Sequence, residues 1–256
     1  MLVSERHKKI VEIVNEKDSI RVSDLSKYFK LTEETIRRDL EKLEGESKLN
    51  RSHGGAVRIP AQVESPFFER EIINIKEKEE VAKEAVKFIC SHDCIMLDAS
   101  STAWYMAKII PDIPLTVLTN SMKVVMELSK REHITVMTTG GTLLAKSLSF
   151  VGPLAEQGLM QYHLNKAFLS CHGIHSKRGI SESNEQQAMF KKRAIDISDQ
   201  VFLLADHSKF EINSFAHISS LASVDWMITD SSTTKEQLTS YKALIPSSSK
   251  PSCLST

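Results

Sequence analysis

Four cysteines in 256 residues, at positions 90, 94, 171 and 253, are too few and too scattered for a disulfide framework, and they read as reduced thiols. Cys90 and Cys94 flank His92, but a helix end and a strand start explain them without a metal. No run of about 18 apolar residues occurs, which argues against a transmembrane helix. The first ten residues, MLVSERHKKI, carry charge where a signal peptide needs an apolar core. These absences point to a cytoplasmic protein with no membrane partner. Net charge is absent as well: 33 Lys and Arg balance 33 Asp and Glu. No whole-molecule field then draws the chain to nucleic acid, although a balanced total can conceal a basic face. Glycine is scarce, only nine residues, so the pairs Gly54–Gly55 and Gly140–Gly141 stand out.

Residues 1–59 form one compositional block. Helical periodicity runs from Ser4, a plausible N-cap, to about Glu16, with Ile10, Val11, Ile13 and Val14 on the apolar side. Ile20–Val22 is short and β-branched. Ser23 caps a second helix, DLSKYF, and Lys30–Leu31 makes a tight turn. Thr32 caps a third helix, EETIRRDLEKLE, with Glu33 and Glu34 in its first turn, where the helix dipole favours acids. Ile36, Leu40 and Leu43 fall at i, i+4, i+7 and bury one face. KLNRSHGGAVRI reads as two short strands around Gly54–Gly55. Residues 60–66, AQVES between two prolines, form a linker.

Residues 67–246 alternate. A charged helical stretch runs to about Ile89. Strand candidates are Cys94–Leu97, Leu115–Thr119, Ile134–Thr138, Lys166–Ser170, Val201–Ala205 and Trp226–Thr229, with helices such as Ser121–Arg131 and Glu185–Ile197 between them. The fold class is therefore α/β, a mostly parallel sheet with helices on both faces. Ligands of such sheets bind at the carboxyl ends of strands. Residues 247–256 are rich in Ser and Pro and read as a disordered tail.

Two helices, a tight turn, a third helix and a hairpin make a winged helix-turn-helix. Thr35, Arg37 and Arg38 lie off the apolar face of the third helix. Arginine can bond guanine O6 and N7 together, and threonine can meet a thymine methyl or a phosphate. Arg51, His53 and Arg58 on the hairpin are placed for the DNA backbone or minor groove. The block holds 13 Lys and Arg against 11 Asp and Glu, so placement carries this reading and total charge does not. The plainer alternative is that Arg37 and Arg38 are solvated charges paired with Glu33, Glu34 and Glu41. The segment TEETIRRDLEKLEGESKLNRSHGGAV resembles the DeoR-type repressor signature: T-I-R-R-D-L-x-x-L over Thr35–Leu43 and R-x-H-G-G-A over Arg51–Ala56. Ser47 departs from the family's usual glycine.

The resemblance continues to about Thr229. Arg70, Asn74 and Lys78 match R-x3-N-x3-K, and DASST at Asp98–Thr102 matches a family strand end. Thr119–Asn120–Ser121, Thr139–Gly140–Gly141, Phe150–Val151–Gly152 and Asp206–His207–Ser208–Lys209 follow in the family's order. The family implies a sensor domain resembling ribose-5-phosphate isomerase and glucosamine-6-phosphate deaminase. From the residues themselves, Ser100, Ser101 and Thr102 offer hydroxyls and backbone N–H groups to a phosphate at a helix start. Gly140 and Gly141 allow close backbone approach. Lys209 supplies a cation, and Asp98, Asp206 and Asn120 suit sugar hydroxyls. The local alternative is that the two acids cap helices and the glycines make a turn.

Gln186 and Gln187 are neutral amides where many family members carry Glu, which removes one candidate base for an isomerase. The expectation is a DNA-binding transcriptional regulator, a repressor of a sugar-catabolism operon. It would be a homo-oligomer, dimer or tetramer, on double-stranded operator DNA, released or modulated by a phosphorylated sugar, with no catalytic residue, cofactor or metal. The alternatives are an isomerase-like enzyme with a DNA-binding appendage, using Asp98 or Asp206, and a regulator controlled by a protein partner. Cys171, His172 and His175 in SCHGIH read as a strand end and turn, with His175 where the family commonly has Asp. DASST-x-WY resembles the fucose-operon regulators of the family and suggests a deoxyhexose pathway with a ketose-1-phosphate effector. Trp104 and Tyr105 either wall a 6-methyl group or are core aromatics of their helix.

Overall fold

The structure, a computed structural model, describes residues 3–45, 48–52, 54–57 and 64–246. The chain divides into two compact units, Met1–Val63 and Glu64–Thr256. Within the first unit the periodic apolar positions close around one small core. Its elements are α1 (Val3–Lys17), β1 (Ser19–Arg21), α2 (Val22–Phe29), α3 (Glu33–Gly45), β2 (Asn50–Ser52) and β3 (Gly55–Val57). Ile10, Val14, Leu25, Ile36, Leu40, Leu43 and Leu49 are buried together. The short β-branched run joins the hairpin, giving an antiparallel sheet of order β1-β3-β2. Gly55 is required there, because a Cβ would lie 2.2 Å from the Ile20 carbonyl oxygen. Ser23 does not cap α2. The helix starts at Val22, straight out of β1, and the Val22 N–H donates instead to the Gly54 carbonyl at 2.8 Å. Lys30, left-handed at φ 54, ends α2, and Thr32 caps α3 by accepting the Thr35 N–H at 3.3 Å. Residues 60–63 of the linker reading and the tail reading at 247–256 lie outside the described residues.

The second unit runs α4 (Phe67–Arg70), α5 (Ile75–Val86), β4 (Cys94–Leu97), α6 (Ser101–Ile109), β5 (Leu115–Thr119), α7 (Met122–Leu128), β6 (Ile134–Thr138), β7 (Thr142–Leu144), β8 (Ser149–Val151), α8 (Pro153–Leu159), β9 (Leu164–Ser170), β10 (Gly173–His175), β11 (Gly179–Glu182), α9 (Glu185–Asp196), β12 (Ser198–Leu204), β13 (Ala216–Ser219), β14 (Trp226–Ile228) and α10 (Lys235–Lys242). The expected strand segments form one six-stranded parallel sheet of order β14-β12-β9-β4-β5-β6.

Alternation along the strands builds two cores. Ile95, Leu97, Val117, Phe168, Phe202 and Leu204 pack on α5, α6 and α7. Met96, Leu118, Ala167, Leu169, Val201 and Leu203 pack on α8, α9 and a second sheet, β10-β11-β13. That small antiparallel sheet and the β7–β8 hairpin lie outside the alternating pattern. Their strands are three or four residues long, and β11 is buried at every position, so no period-two signal betrays them. Cys94 and Cys171 are free, as the reading of reduced thiols expects, and Cys253 lies outside the described residues. No described helix is long and apolar enough to cross a membrane.

Candidate functional site

In the first unit, α3 is held by its own buried acid. Asp39 accepts Arg6 Nε at 2.7 Å, Arg6 Nη2 at 3.0 Å and a bond with His7 Nε2 at 2.8 Å, so α1 clamps α3. Burial opposes the charge of Asp39, but the donors from Arg6 and His7 outweigh it and its pKa lies below the ordinary value. The aspartate of TIRRDL is thus a brace behind the exposed face. On that exposed face Arg37 pairs with Glu33 at 3.1 Å and Arg38 with Glu34 at 3.2 Å. Exposed pairs of this spacing are worth about 0.3–0.5 kcal/mol. A phosphate or a guanine edge can displace them at little cost. Thr35 is half-buried, its hydroxyl 2.9 Å from that of Thr32. Arg51 is exposed on β2, and its N–H donates to Glu44 at 2.7 Å. His53 and Arg58 lie outside the described residues.

In the second unit, all carboxyl ends of a parallel sheet share one edge. Strand order places Asp206 and Lys209 after β12, Ser170 to His172 at the end of β9, Asp98 to Thr102 after β4, Asn120 after β5, and Gly140–Gly141 after β6. Every residue expected to meet an effector therefore lies along this edge, spread over roughly 20 Å from β12 to β6.

The turn from β4 into α6 is rigidly built. Ser100 caps α6 by accepting the Ala103 N–H at 3.0 Å. The preceding helix N–H groups, at Ser101 and Thr102, have no partner within the helix, and both residues are buried. Asp98 is fully buried. Its Oδ1 accepts the Ser100 N–H (3.1 Å) and hydroxyl (2.5 Å), and its Oδ2 accepts the Ser170 N–H (2.9 Å) and pairs with Lys191 Nζ (3.0 Å). A carboxylate offers about four lone-pair sites. All are taken by the protein, so Asp98 fixes the turn. Asn120 donates to the Phe150 carbonyl at 3.1 Å, and its Oδ1 is buried without a hydrogen-bond partner. Gly141, at φ +106, makes its close approach to the protein itself: a Cβ would lie 2.6 Å from the Val151 oxygen.

Around this edge the charges converge. Asp206 accepts the Ser208 N–H (2.9 Å), the Ser208 hydroxyl and Asn74 Nδ2 (3.3 Å). Burial opposes its charge, but Lys209, Ser208 and Lys78 together hold its pKa below the ordinary value. Lys78 is buried and donates to the carbonyls of Arg70 (2.5 Å) and Ile73 (2.6 Å). Burial and the nearby Lys209 lower its pKa to about 7. Burial and Lys209 also push His172 down to about 4, and its Nδ1 has no hydrogen-bond partner. Lys191 bonds Glu182 and the Ser170 carbonyl (2.7 Å) besides Asp98. Burial works against its charge, but Glu182 and Asp98 raise its pKa above the ordinary value. Glu64, at the start of this unit, lies 3.7 Å from Arg70 Nη2 and 3.5 Å from Gln187 Nε2, and burial raises its pKa. Arg70 Nη2 has no hydrogen-bond partner, and Lys209 forms no ion pair among the described residues.

Glu64, Glu182 and Lys191 were not anticipated, and His172 was read only as part of a strand end and turn. Lys191 carried a signal: it shares the buried side of α9 with Ala188 and Ala194. Arg70, Asn74 and Lys78 do not lie along one helix, as their four-residue spacing suggests. Arg70 ends α4, and Asn74 is left-handed at φ 52 before α5. Trp104 packs edge-on against Phe67 at 5.9 Å, and the Tyr105 hydroxyl donates to the Glu71 carbonyl at 2.9 Å, so both belong to the packing of α6. Among the described residues no group of three or more His, Cys, Asp or Glu is arranged to hold a metal.

Comparison with known proteins covers both units. Residues 6–62 match the DeoR-like helix-turn-helix domain, and residues 73–231 match the DeoR C terminal sensor domain. The chain is 62% identical over 232 residues to an uncharacterized HTH-type transcriptional regulator, YulB, of Bacillus subtilis, covering 90% of each. It is 38% identical to the L-fucose operon activator of Haemophilus influenzae, over 89% of this chain and 92% of that one. It is 33% identical to the transcriptional repressor AccR of Agrobacterium fabrum, over 90% of each. Among solved structures, ribose 5-phosphate isomerase A of Methanocaldococcus jannaschii aligns with a TM-score of 0.41 at 19% identity, over 54% of this chain and 55% of that one. With a helix-turn-helix in the first unit and the matching sensor domain in the second, the chain belongs to the DeoR family of transcriptional regulators.

Proposed function

We propose that this regulator is a homo-oligomeric repressor of a sugar-catabolism operon whose hold on operator DNA is loosened by a phosphorylated sugar. One observation carries the reading: Lys209 and Arg70 Nη2, two cationic groups with hydrogen-bonding capacity to spare, lie in the charged cluster at the strand edge that also holds the start of α6. A helix start and two such cations suit a phosphate. The Ser101 and Thr102 N–H groups, Lys209 and Arg70 would take the phosphate, and Asn120 Oδ1 would accept from a sugar hydroxyl. Two relatives are named L-fucose operon activators, in keeping with a deoxyhexose pathway, for which the sugar we propose is a deoxyketose-1-phosphate.

The coupling would run through Glu64, the first residue after the DNA-reading unit and an anion already beside Arg70. A phosphate competing for Arg70 would free the Glu64 carboxylate at the boundary between the two units. Specific affinity for the operator would be roughly 10⁻⁸–10⁻¹¹ M. A coupling of about 1–3 kcal/mol makes a working switch. A thermal-shift panel of ketose-1-phosphates and other sugar phosphates tests the reading. Stabilisation by one of them, lost in Lys209→Ala, supports it, and no response to any of them speaks for control by a protein partner. An isomerase assay on the same panel tests the enzyme alternative, for which Asp98 has no lone pair left to act as base.

A further inference from the structure

α9 turns a patterned stripe outward. Glu185, Gln186, Met189, Lys192, Arg193 and Asp196 are exposed at i, i+1, i+4, i+7, i+8 and i+11, one face of a 3.6-residue helix. Met189 is 46% exposed, and Phe215, before the edge strand β13, is 51% exposed. These two side chains, with Ala188 and Ala216, line a groove of about 390 Å³ rimmed by Glu185, Lys192, Arg193 and His217. Large apolar side chains inside a polar rim mark an interaction surface.

The order of charge along the stripe names the occupant. Glu185 stands at the amino end, Met189 in the middle and Lys192 and Arg193 beyond it, with a second acid, Asp196, at the carboxyl end of the stripe. Glu185 and Arg193 are each four residues from Met189. A two-fold axis through Met189, laying α9 antiparallel on α9 of another copy, sets Glu185 opposite Arg193 and Gln186 opposite Lys192, each twice. Met189 then meets its own symmetry mate, and the two helix dipoles oppose. Parallel packing would instead set Glu185 on Glu185. Arg193 is free to turn outward, because its contacts within the chain, Asp196 at 3.6 Å and Glu156 at 3.9 Å, are long.

We infer that the α9–β13 face is a two-fold interface between copies of this chain, self-complementary through Glu185 and Arg193. The inference rests on the oligomer reading proposed above and gives it a surface. The test is sedimentation equilibrium of the full chain and of Glu185→Arg, Arg193→Glu and the double variant. Each single reversal places like charges opposite one another twice per interface. It should weaken self-association by about tenfold or more, dropping one level of assembly. The double variant restores the attraction with the signs exchanged and should return to wild-type assembly, a rescue that misfolding cannot imitate. Single variants that assemble like wild type, or a double variant that stays dissociated, would overturn the α9 face and leave the oligomer reading standing. A monomeric wild type would overturn both.

Discussion

Asp98 Oδ2 lies 3.0 Å from Lys191 Nζ, both side chains are buried, and Glu182 bonds the same ammonium group. One lysine from α9 thus neutralises two acids, one in the turn after β4 and one at the end of β11, in the candidate effector site. Removing one member of a buried ionic group leaves charge without compensation, at about 3–5 kcal/mol. Lys191→Met should lower stability by that amount in urea denaturation. Lys191→Arg should lose less, because the charge remains.

The two faces of α3 predict opposite phenotypes for neighbouring residues. Arg38→Ala removes an exposed side chain and should cost about 1–3 kcal/mol of operator binding while leaving the melting temperature in place. Asp39→Ala strands Arg6 and His7 without their acceptor. It should destabilise the first unit and lose DNA binding through unfolding. Anisotropy on operator DNA together with circular dichroism melting separates the two.

His207 and Asp230 predict a pH signature. The hydrogen bond to Asp230 raises the His207 pKa above 6.5. Burial opposes the Asp230 charge, but the donors from His207 and Ser232 bring its pKa to about 2, from 3.8. The raised histidine stabilises fully below pH 6.5, and its contribution is lost as pH rises through its folded value. The depressed aspartate stabilises above pH 3.8, and its contribution is lost as pH falls through about 2. Asp230→Asn should therefore cost most between those limits, about 1–3 kcal/mol. The gap between its melting curve and that of wild type should narrow in alkaline buffer.

Lys78 predicts a proton linkage of effector binding. Its pKa of about 7 follows from burial and from Lys209. A phosphate held by Lys209 would screen that repulsion and raise the Lys78 value, so binding near neutral pH should take up a fraction of a proton. Calorimetry in buffers of different ionisation enthalpy measures the uptake, and Lys78→Met should abolish it.

The parallel sheet was legible because its strands are continuous apolar runs separated by helical patterns, and the edge that gathers Asp98, Asn120 and Lys209 follows from strand order alone. The charge network was not. Lys191 reaches Asp98 across 93 residues of chain, and Glu64 reaches Gln187 across 123. No local pattern encodes such pairings. The role of Asp39 was hidden for the same reason, since its partners lie on another helix. Arg37 and Arg38 were legible as exposed because Ile36, Leu40 and Leu43 fix the opposite face of a regular helix.

The most direct measurement is fluorescence anisotropy of the full chain on the duplex it selects from random sequence, titrated with individual sugar phosphates. One of them should weaken binding about 5- to 150-fold, and Lys209→Ala should lose that response while keeping the ligand-free affinity. Tight binding that no sugar phosphate alters, or a response that survives Lys209→Ala, would contradict an anionic metabolite acting at this strand edge.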